Sequence, residues 1–214
     1  MISDRRRTDV TVVESSTAYT GAVWAVIRDV INFRGKHLTR DFVQHMGAVG
    51  VVAVNDKDEI LLISQYRHAV GYDLVEIPAG LLDSISEEPL AAAQRELSEE
   101  TGYAATKWQV LVDLCTTPGS SSESLRIFLA SGVSENEWQT DSLRDEEQEI
   151  VRQWVTLETC LQAIFDGRMS SPTSVLGVLA YAASKGRDLR STDSAWPMRE
   201  WAVETNRIFV PPAS

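Results

Sequence analysis

Three glutamates hold the densest chemistry in this chain. Glu96, Glu99 and Glu100 stand in the run Arg95-Glu96-Leu97-Ser98-Glu99-Glu100-Thr101-Gly102. On a helix, residues four apart differ by roughly 40° of rotation and residues three apart by about 60°. The three carboxylates therefore crowd one face, where like charges destabilise an isolated helix by roughly a few tenths of a kcal/mol per pair. A solvated acidic face is the ordinary explanation for a glutamate-rich helix. Here the opposite edge, Leu90, Ala93, Leu97 and Thr101, makes an apolar stripe, which describes a packed helix with carboxylates beside the core. Hard divalent cations such as Mg²⁺ take several oxygen ligands and would relieve the repulsion. Arg95, one turn before Glu99, is placed to orient it.

The elements that must position this cluster follow from local pattern. The helix runs from about Glu87 to Thr101, with Pro89 in its first turn and Gly102 just past its end. Residues 8–46 are rich in β-branched and aromatic residues, punctuated by Gly21 and Gly35, and read as extended. Two apolar runs follow, Ala48–Val54 and Ile60–Ile63. The turn-like Asn55-Asp56-Lys57-Asp58 between them suggests a hairpin. Asp73–Ile77, Lys107–Leu114, Leu125–Ala130 and Glu149–Val155 have strand character, and two helices are expected near Leu157–Phe165 and Thr173–Ser184. The segment after Gly186 mixes polar residues with Trp196, Trp201 and Phe209 and yields no clear element. The expected fold class is α+β, a mixed β-sheet packed between helices and preceded by a β-strand arm. Its divisions are 1–46 as arm, 47–185 as catalytic domain and 186–214 as a tail.

The composition excludes several classes. With 214 residues, 43% hydrophobic and 24% charged, the chain suits one globular domain with an added arm. The start, Met1-Ile2-Ser3-Asp4-Arg5-Arg6-Arg7, lacks the apolar run of a secretory signal, and no stretch approaches the roughly 18 apolar residues of a membrane span. A cytoplasmic location follows as an expectation. Two cysteines, Cys115 and Cys160, are too few for a disulfide framework and read as small buried hydrophobes. The formal net charge of −11 disfavours nucleic acid and anionic membrane as partners. It would also repel a pyrophosphate unless cations intervene, so phosphate chemistry here requires bound metal. His37, His45 and His68 have no ligand spacing. Ser120-Ser121-Ser122 lacks both the strand–elbow–helix context and a paired base of a serine hydrolase. Gly119 is a turn residue, since the Gly-Lys-Ser/Thr ending of a P-loop is absent.

The spacing Glu87-x7-Arg95-Glu96-Leu97-x-Glu99-Glu100-x-Gly102-Tyr103 resembles the second part of the Nudix box, G-x5-E-x7-R-E-U-x-E-E-x-G-U, where U is bulky and apolar. The departure lies in front, where six residues instead of five separate Gly80 from Glu87. Gln65-Tyr66-Arg67-His68 and Glu76-Ile77-Pro78-Ala79-Gly80-Leu81-Leu82-Asp83 are similar to the ADP-ribose pyrophosphatase branch, particularly its actinobacterial members. The likeness extends from about Tyr19 to Ala183.

The resemblance implies a Nudix fold and Mg²⁺- or Mn²⁺-dependent hydrolysis of a nucleotide's pyrophosphate. It makes Glu96 and Glu100 the principal metal ligands, Glu99 a bridging ligand or catalytic participant, and the Ala79 carbonyl a further donor. Glu146-Glu147-Gln148-Glu149 is similar to this branch's acidic loop, with Glu147 as general base and Glu149 as accessory ligand or alternative base. Arg67 would contact substrate phosphates, and Glu76 a ribose hydroxyl or a partner arginine. Arg40, in Thr39-Arg40-Asp41-Phe42-Val43, would reach the neighbouring subunit's site in a homodimer. Two other functions fit the same residues: hydrolysis of another nucleoside diphosphate sugar or dinucleotide, and a nucleotide sensor that binds without turnover.

Overall fold

The computed structural model of this chain describes residues 2–136 and 150–210. In chain order the elements are β1 (Val10–Thr20), β2 (Trp24–Phe33), β3 (Lys36–His45), β4 (Ala48–Ala53), β5 (Glu59–Arg67), β6 (Tyr72–Glu76) and β7 (Ala79–Leu81). There follow α1 (Pro89–Thr101), β8 (Tyr103–Cys115), β9 (Ser124–Glu135), β10 (Val151–Thr156), α2 (Leu157–Phe165), α3 (Pro172–Ser184) and α4 (Pro197–Glu204). Among the described residues, no helix is long and apolar enough to cross a membrane.

The body contains two sheets, β7-β4-β9-β8 and β10-β5-β6. All of β4 is buried, and its side chains alternate between two cores. Val49, Val51 and Ala53 meet Ala93 and Leu97 of α1, together with Ala202 of α4. Ala48 and Val52 meet Cys160 of α2 with Val178 and Tyr181 of α3. A strand buried on both faces reads as an unbroken apolar run, as this one does. The expected α+β fold, mixed strands layered between helices, is therefore the one observed, and β4 supplies its parallel pairing, to β9.

The expected hairpin of Ala48–Val54 with Ile60–Ile63 does not form. A lone bridge, Val54 to Ile60, joins the two strands before they diverge into different sheets. Each is a central strand with its own neighbours, β4 between β7 and β9, β5 between β10 and β6. The polar turn redirects the chain from one sheet to the other. Asn55 Oδ1 accepts from the N–H groups of Lys57 and Glu59, and Asp58 takes a left-handed φ of 65°.

Residues before β4 form an antiparallel meander, β1-β2-β3. Its outer strand β1 is exposed along nearly all of its eleven residues. The meander is fastened by parts of the chain far away in sequence. The Val43 N–H donates to Ser120 O and the Ser122 N–H donates to Val43 O. Ala25, Ile27 and Phe209 form a small core, and Arg207 Nη2 donates to Asp29 at 2.7 Å. The segment after Gly186, which sequence pattern leaves open, thus contains α4 and buries Trp196, Ala202, Ile208 and Phe209.

Candidate active site

Helix α1 starts at Pro89, whose missing N–H costs nothing at a helix N-terminus, and stops at Gly102, with φ 72° and its N–H on Ser98 O. Leu97 is fully buried; truncating such a leucine to alanine costs about 2–5 kcal/mol. The helix is buried more widely than a single stripe suggests. Ala92, Ser98 and Glu100 are enclosed as well, so one of the three clustered carboxyls lies in the interior.

The segment facing α1 is β7, paired to β4 with Ala79 opposite Gly50. Glu100 Oε2 accepts the Ala79 N–H at 2.9 Å. Beside it, the Glu96 carboxyl lies against the bare Cα of Gly80. A Cβ there would stand 2.1 Å from that carboxyl, so only glycine leaves room for it.

Arg95 gathers the remaining acids. Its Nη1 donates to Glu96 Oε1 at 2.7 Å and to Glu99 Oε2 at 3.0 Å. Its Nε donates to Glu87 Oε1 at 3.2 Å, and its Nη2 to the Leu81 carbonyl at 3.2 Å. Glu87 in turn accepts the Asp83 N–H through Oε2, which closes the loop that precedes the helix. Four acceptors, three carboxylates and one carbonyl, thus converge on one guanidinium. Its pKa is raised by Glu96, Glu87 and Glu99, although burial alone would lower it.

Sheet register brings the other pair to this place. Leu61, Ile63, Gln65 and Arg67 alternate onto one face of β5, and Leu61 packs in the cluster that holds Leu97. Glu76 lies opposite Ile63 and therefore shares that face. Arg67 Nη2 donates to Glu76 Oε2 at 2.6 Å, so the arginine partner expected for Glu76 comes from its own chain.

These groups set the acidity of Glu100. Burial pushes its pKa up to about 8; the Ala79 N–H pulls it down, Glu96 and Glu76 push it further up, and Arg67 opposes them. Glu96 is also raised, chiefly by burial, with Arg95 pulling the other way. Among the described residues, no three His, Cys, Asp or Glu groups converge closely enough to enclose an ion as they stand. The reason is visible in the hydrogen bonds: Arg95 holds Glu96 and Glu99, and Ala79 holds Glu100. The donor set still fits a hard divalent cation. It offers carboxylate oxygens along one helix face, a cradle at Gly80, and a buried carboxyl whose charged form needs a cation nearby.

Glu96, Glu99, Glu100, Ala79, Arg67 and Glu76 are therefore brought together. Arg40 is not. It is exposed on β3, and its guanidinium donates to its neighbour's carbonyl, Thr39 O. Glu147 and Glu149 lie outside the described residues. Ser122 Oγ, in the serine run, accepts the His45 N–H and donates to Arg207 O, a structural use. A cavity of about 290 Å³ opens past the C-terminal end of α1, walled by Glu99, Gly102, Tyr103, Asn136, Arg152 and Trp154.

Sequence reasoning missed Arg199. It is buried in α4, donating to Met46 O at 3.2 Å and to Ile85 O at 2.8 Å. Its contacts are main-chain carbonyls, which have no side-chain signature to search for.

A sheet sandwiched between helices, with an acidic helix facing a glycine-bearing strand, defines a fold that the comparisons identify. The NUDIX domain model matches residues 44–172, and the chain belongs to the Nudix family. It is 39% identical over 202 residues to the ADP-ribose pyrophosphatase of Mycobacterium tuberculosis, covering 93% of this chain and 97% of that one. To the ADP-ribose pyrophosphatase of Bacillus subtilis it is 40% identical over 138 residues, 64% of this chain and 73% of that protein. The solved structure of an ADP compounds hydrolase superposes with a TM-score of 0.68 at 18% identity, covering 96% of this chain and 100% of that one, a likeness of fold.

Proposed function

We propose that this protein hydrolyses ADP-ribose: water attacks the pyrophosphate, and AMP and ribose 5-phosphate leave. The observation that carries the reading is the buried Glu100 beside Glu96, with Arg67 and Glu76 within electrostatic reach. Relatives whose names specify ADP-ribose pyrophosphatase, at 39% and 40% identity, support the choice of substrate.

Glu96 and Glu100 would hold Mg²⁺ or Mn²⁺, with Glu99 and the Ala79 carbonyl as further donors. A bound divalent ion supplies polarisation of the phosphoryl oxygens and neutralisation of their charge. Arg67, half exposed at the rim, would donate to a phosphate oxygen while Glu76 keeps its guanidinium aimed. Glu147 would take the proton of the attacking water, with Glu149 as the alternative base. Catalysis would rest on positioning and charge balance. The exposed strand β1 and the exposed Arg40 support a homodimer in which one arm lies against its partner.

The test is initial-rate hydrolysis of ADP-ribose with Mg²⁺, beside nucleotide sugars and dinucleotides, with a chelator control. Chelator-sensitive AMP release, with kcat/KM highest for ADP-ribose, is the expected result. Higher kcat/KM for another substrate would move the assignment to that substrate, and binding without turnover would replace the enzyme with a sensor.

A further inference from the structure

The loop from Leu82 to Glu88 is one residue longer than the Nudix motif and yet must deliver Glu87 to Arg95 with a 3.2 Å hydrogen bond. Local chemistry anchors only part of it. Leu82 N–H donates to Gly47 O, and Glu87 accepts the Asp83 N–H. Between them Ser84, Ile85 and Ser86 are exposed. Within the loop the Glu87 N–H donates to Ser84 O and the Ser84 and Ser86 hydroxyls pair, while the long-range hold on Ile85 comes from Arg199, whose Nη2 reaches Ile85 O at a sequence separation of 114. Its Nη1 holds Met46 O, where the chain enters β4.

Arg199 is itself set in a packed stack. Its guanidinium lies 5.9 Å from the Trp196 ring, and Arg126 lies 4.9 Å from the same ring. Arg126 is locked by both carboxylate oxygens of Asp113 and by the carbonyls of Ser194 and Ala195. A buried arginine aimed at two main-chain carbonyls is a rigid donor for each of them.

We infer that Arg199 is a positioning residue of the metal site, holding the lengthened loop so that Glu87 meets Arg95 and Arg95 keeps Glu96 and Glu99 in place. Arg199 itself lies outside the matched residues 44–172, whereas the loop that it holds lies inside them. The inference rests on the metal-site reading above. Two effects of removing Arg199 have opposite sign. Loss of a cation near Glu87 and Glu88 would by itself tighten binding of a divalent cation, by Coulomb's law. Release of the loop loosens the carboxylate set and weakens binding. A charge-assisted hydrogen bond inside the protein outweighs a charge effect through intervening groups, so weaker binding is the net expectation.

The test is direct titration with Mn²⁺, read by the electron paramagnetic resonance of the free ion, on the full chain. Arg199→Met keeps length and removes every donor; its Mn²⁺ Kd is expected to rise about tenfold. Glu87→Gln is expected to weaken binding as well, and the double variant to be no worse than the weaker single variant. Arg199→Gln, which retains an amide donor, is read in the same way if Arg199→Met gives little folded protein. Wild-type Mn²⁺ affinity or tighter binding in a folded Arg199 variant overturns the inference. So does a double variant whose loss is the product of the two single losses, because Arg199 would then act independently of the loop. A wild-type protein that binds no Mn²⁺ overturns the metal site itself, and the inference with it.

Discussion

Replacing Gly80 by alanine tests the site with a single methyl group. The added Cβ would lie 2.1 Å from both Cδ and Oε1 of Glu96 and 2.4 Å from Oε2, where ordinary contact begins at 3.4 Å. The carboxyl must therefore retreat by about 1.3 Å, the difference between 3.4 and 2.1. It has little room to do so, because Glu96 is 12% exposed and its Oε1 is tied to Arg95 at 2.7 Å. The backbone at Gly80 is not left-handed, so the cost falls on the carboxyl. A misplacement of about 1 Å in a positioned group costs roughly 10²-fold in rate. Overpacking of this kind destabilises by about 1–3 kcal/mol, which leaves a protein of ordinary stability folded. The expected outcome for Gly80→Ala is thus a fall of about 100-fold in kcat/KM for ADP-ribose and weaker Mn²⁺ binding, with native circular dichroism. Gly119→Ala, where a Cβ meets nothing within 4 Å, is the control and should behave as wild-type. Activity within threefold of wild-type in Gly80→Ala would mean that the position of Glu96 is not critical, and the assignment of that residue would fall.

Three further outcomes follow from the proposed reaction. Glu100→Gln should abolish most turnover while the protein stays folded. Because the Glu100 pKa is raised to about 8 in the folded state, metal-free wild-type loses stability as pH rises from about 4.5 towards 8. The variant should therefore melt higher than wild-type at pH 8 and similarly at pH 5, and a lower melting temperature at both would contradict the burial argument. Metal binding must expel that proton, so apparent Mg²⁺ affinity should weaken by up to about tenfold per pH unit below pH 8; an affinity independent of pH between 6 and 8 would exclude Glu100 as a ligand. Glu147→Gln should reduce kcat more than Glu149→Gln, with KM little changed in either, and the reverse order in a rate assay would exchange the two roles.

The cluster was legible because its parts lie within one helix and one short strand, where spacing determines which side chains share a face. Glu96, Glu99 and Glu100 needed only the helical repeat, and Gly102 only its place after the last turn. Arg67 and Glu76 needed the family resemblance, because their meeting depends on a β5–β6 register that short alternating strands do not specify alone. The hairpin expected at Asn55–Asp58 failed for a related reason. A polar turn between two apolar runs says that the chain changes direction, whereas partner choice depends on which strands arrive from elsewhere. The tail was illegible because α4 is short and its anchoring residues, Arg199 and Trp196, work through main-chain carbonyls and a ring that two arginines approach. The fold class, by contrast, was carried by long apolar runs and survived these errors.

The fastening of the arm has a consequence for how the molecule comes into being. Asp29 finds its ion-pair partner in Arg207, 178 residues later, and Ala25 and Ile27 complete their small core with Phe209. During synthesis the meander emerges first, but its seat is finished only when residues 207–209 have cleared the ribosome. Before then the meander is held to the body through Val43 and the main chain of Ser120 and Ser122. Until residues 207–209 arrive, Ala25 and Ile27 of β2 lack the Phe209 ring that completes their small core, so the arm is the last part of the molecule to gain its full packing.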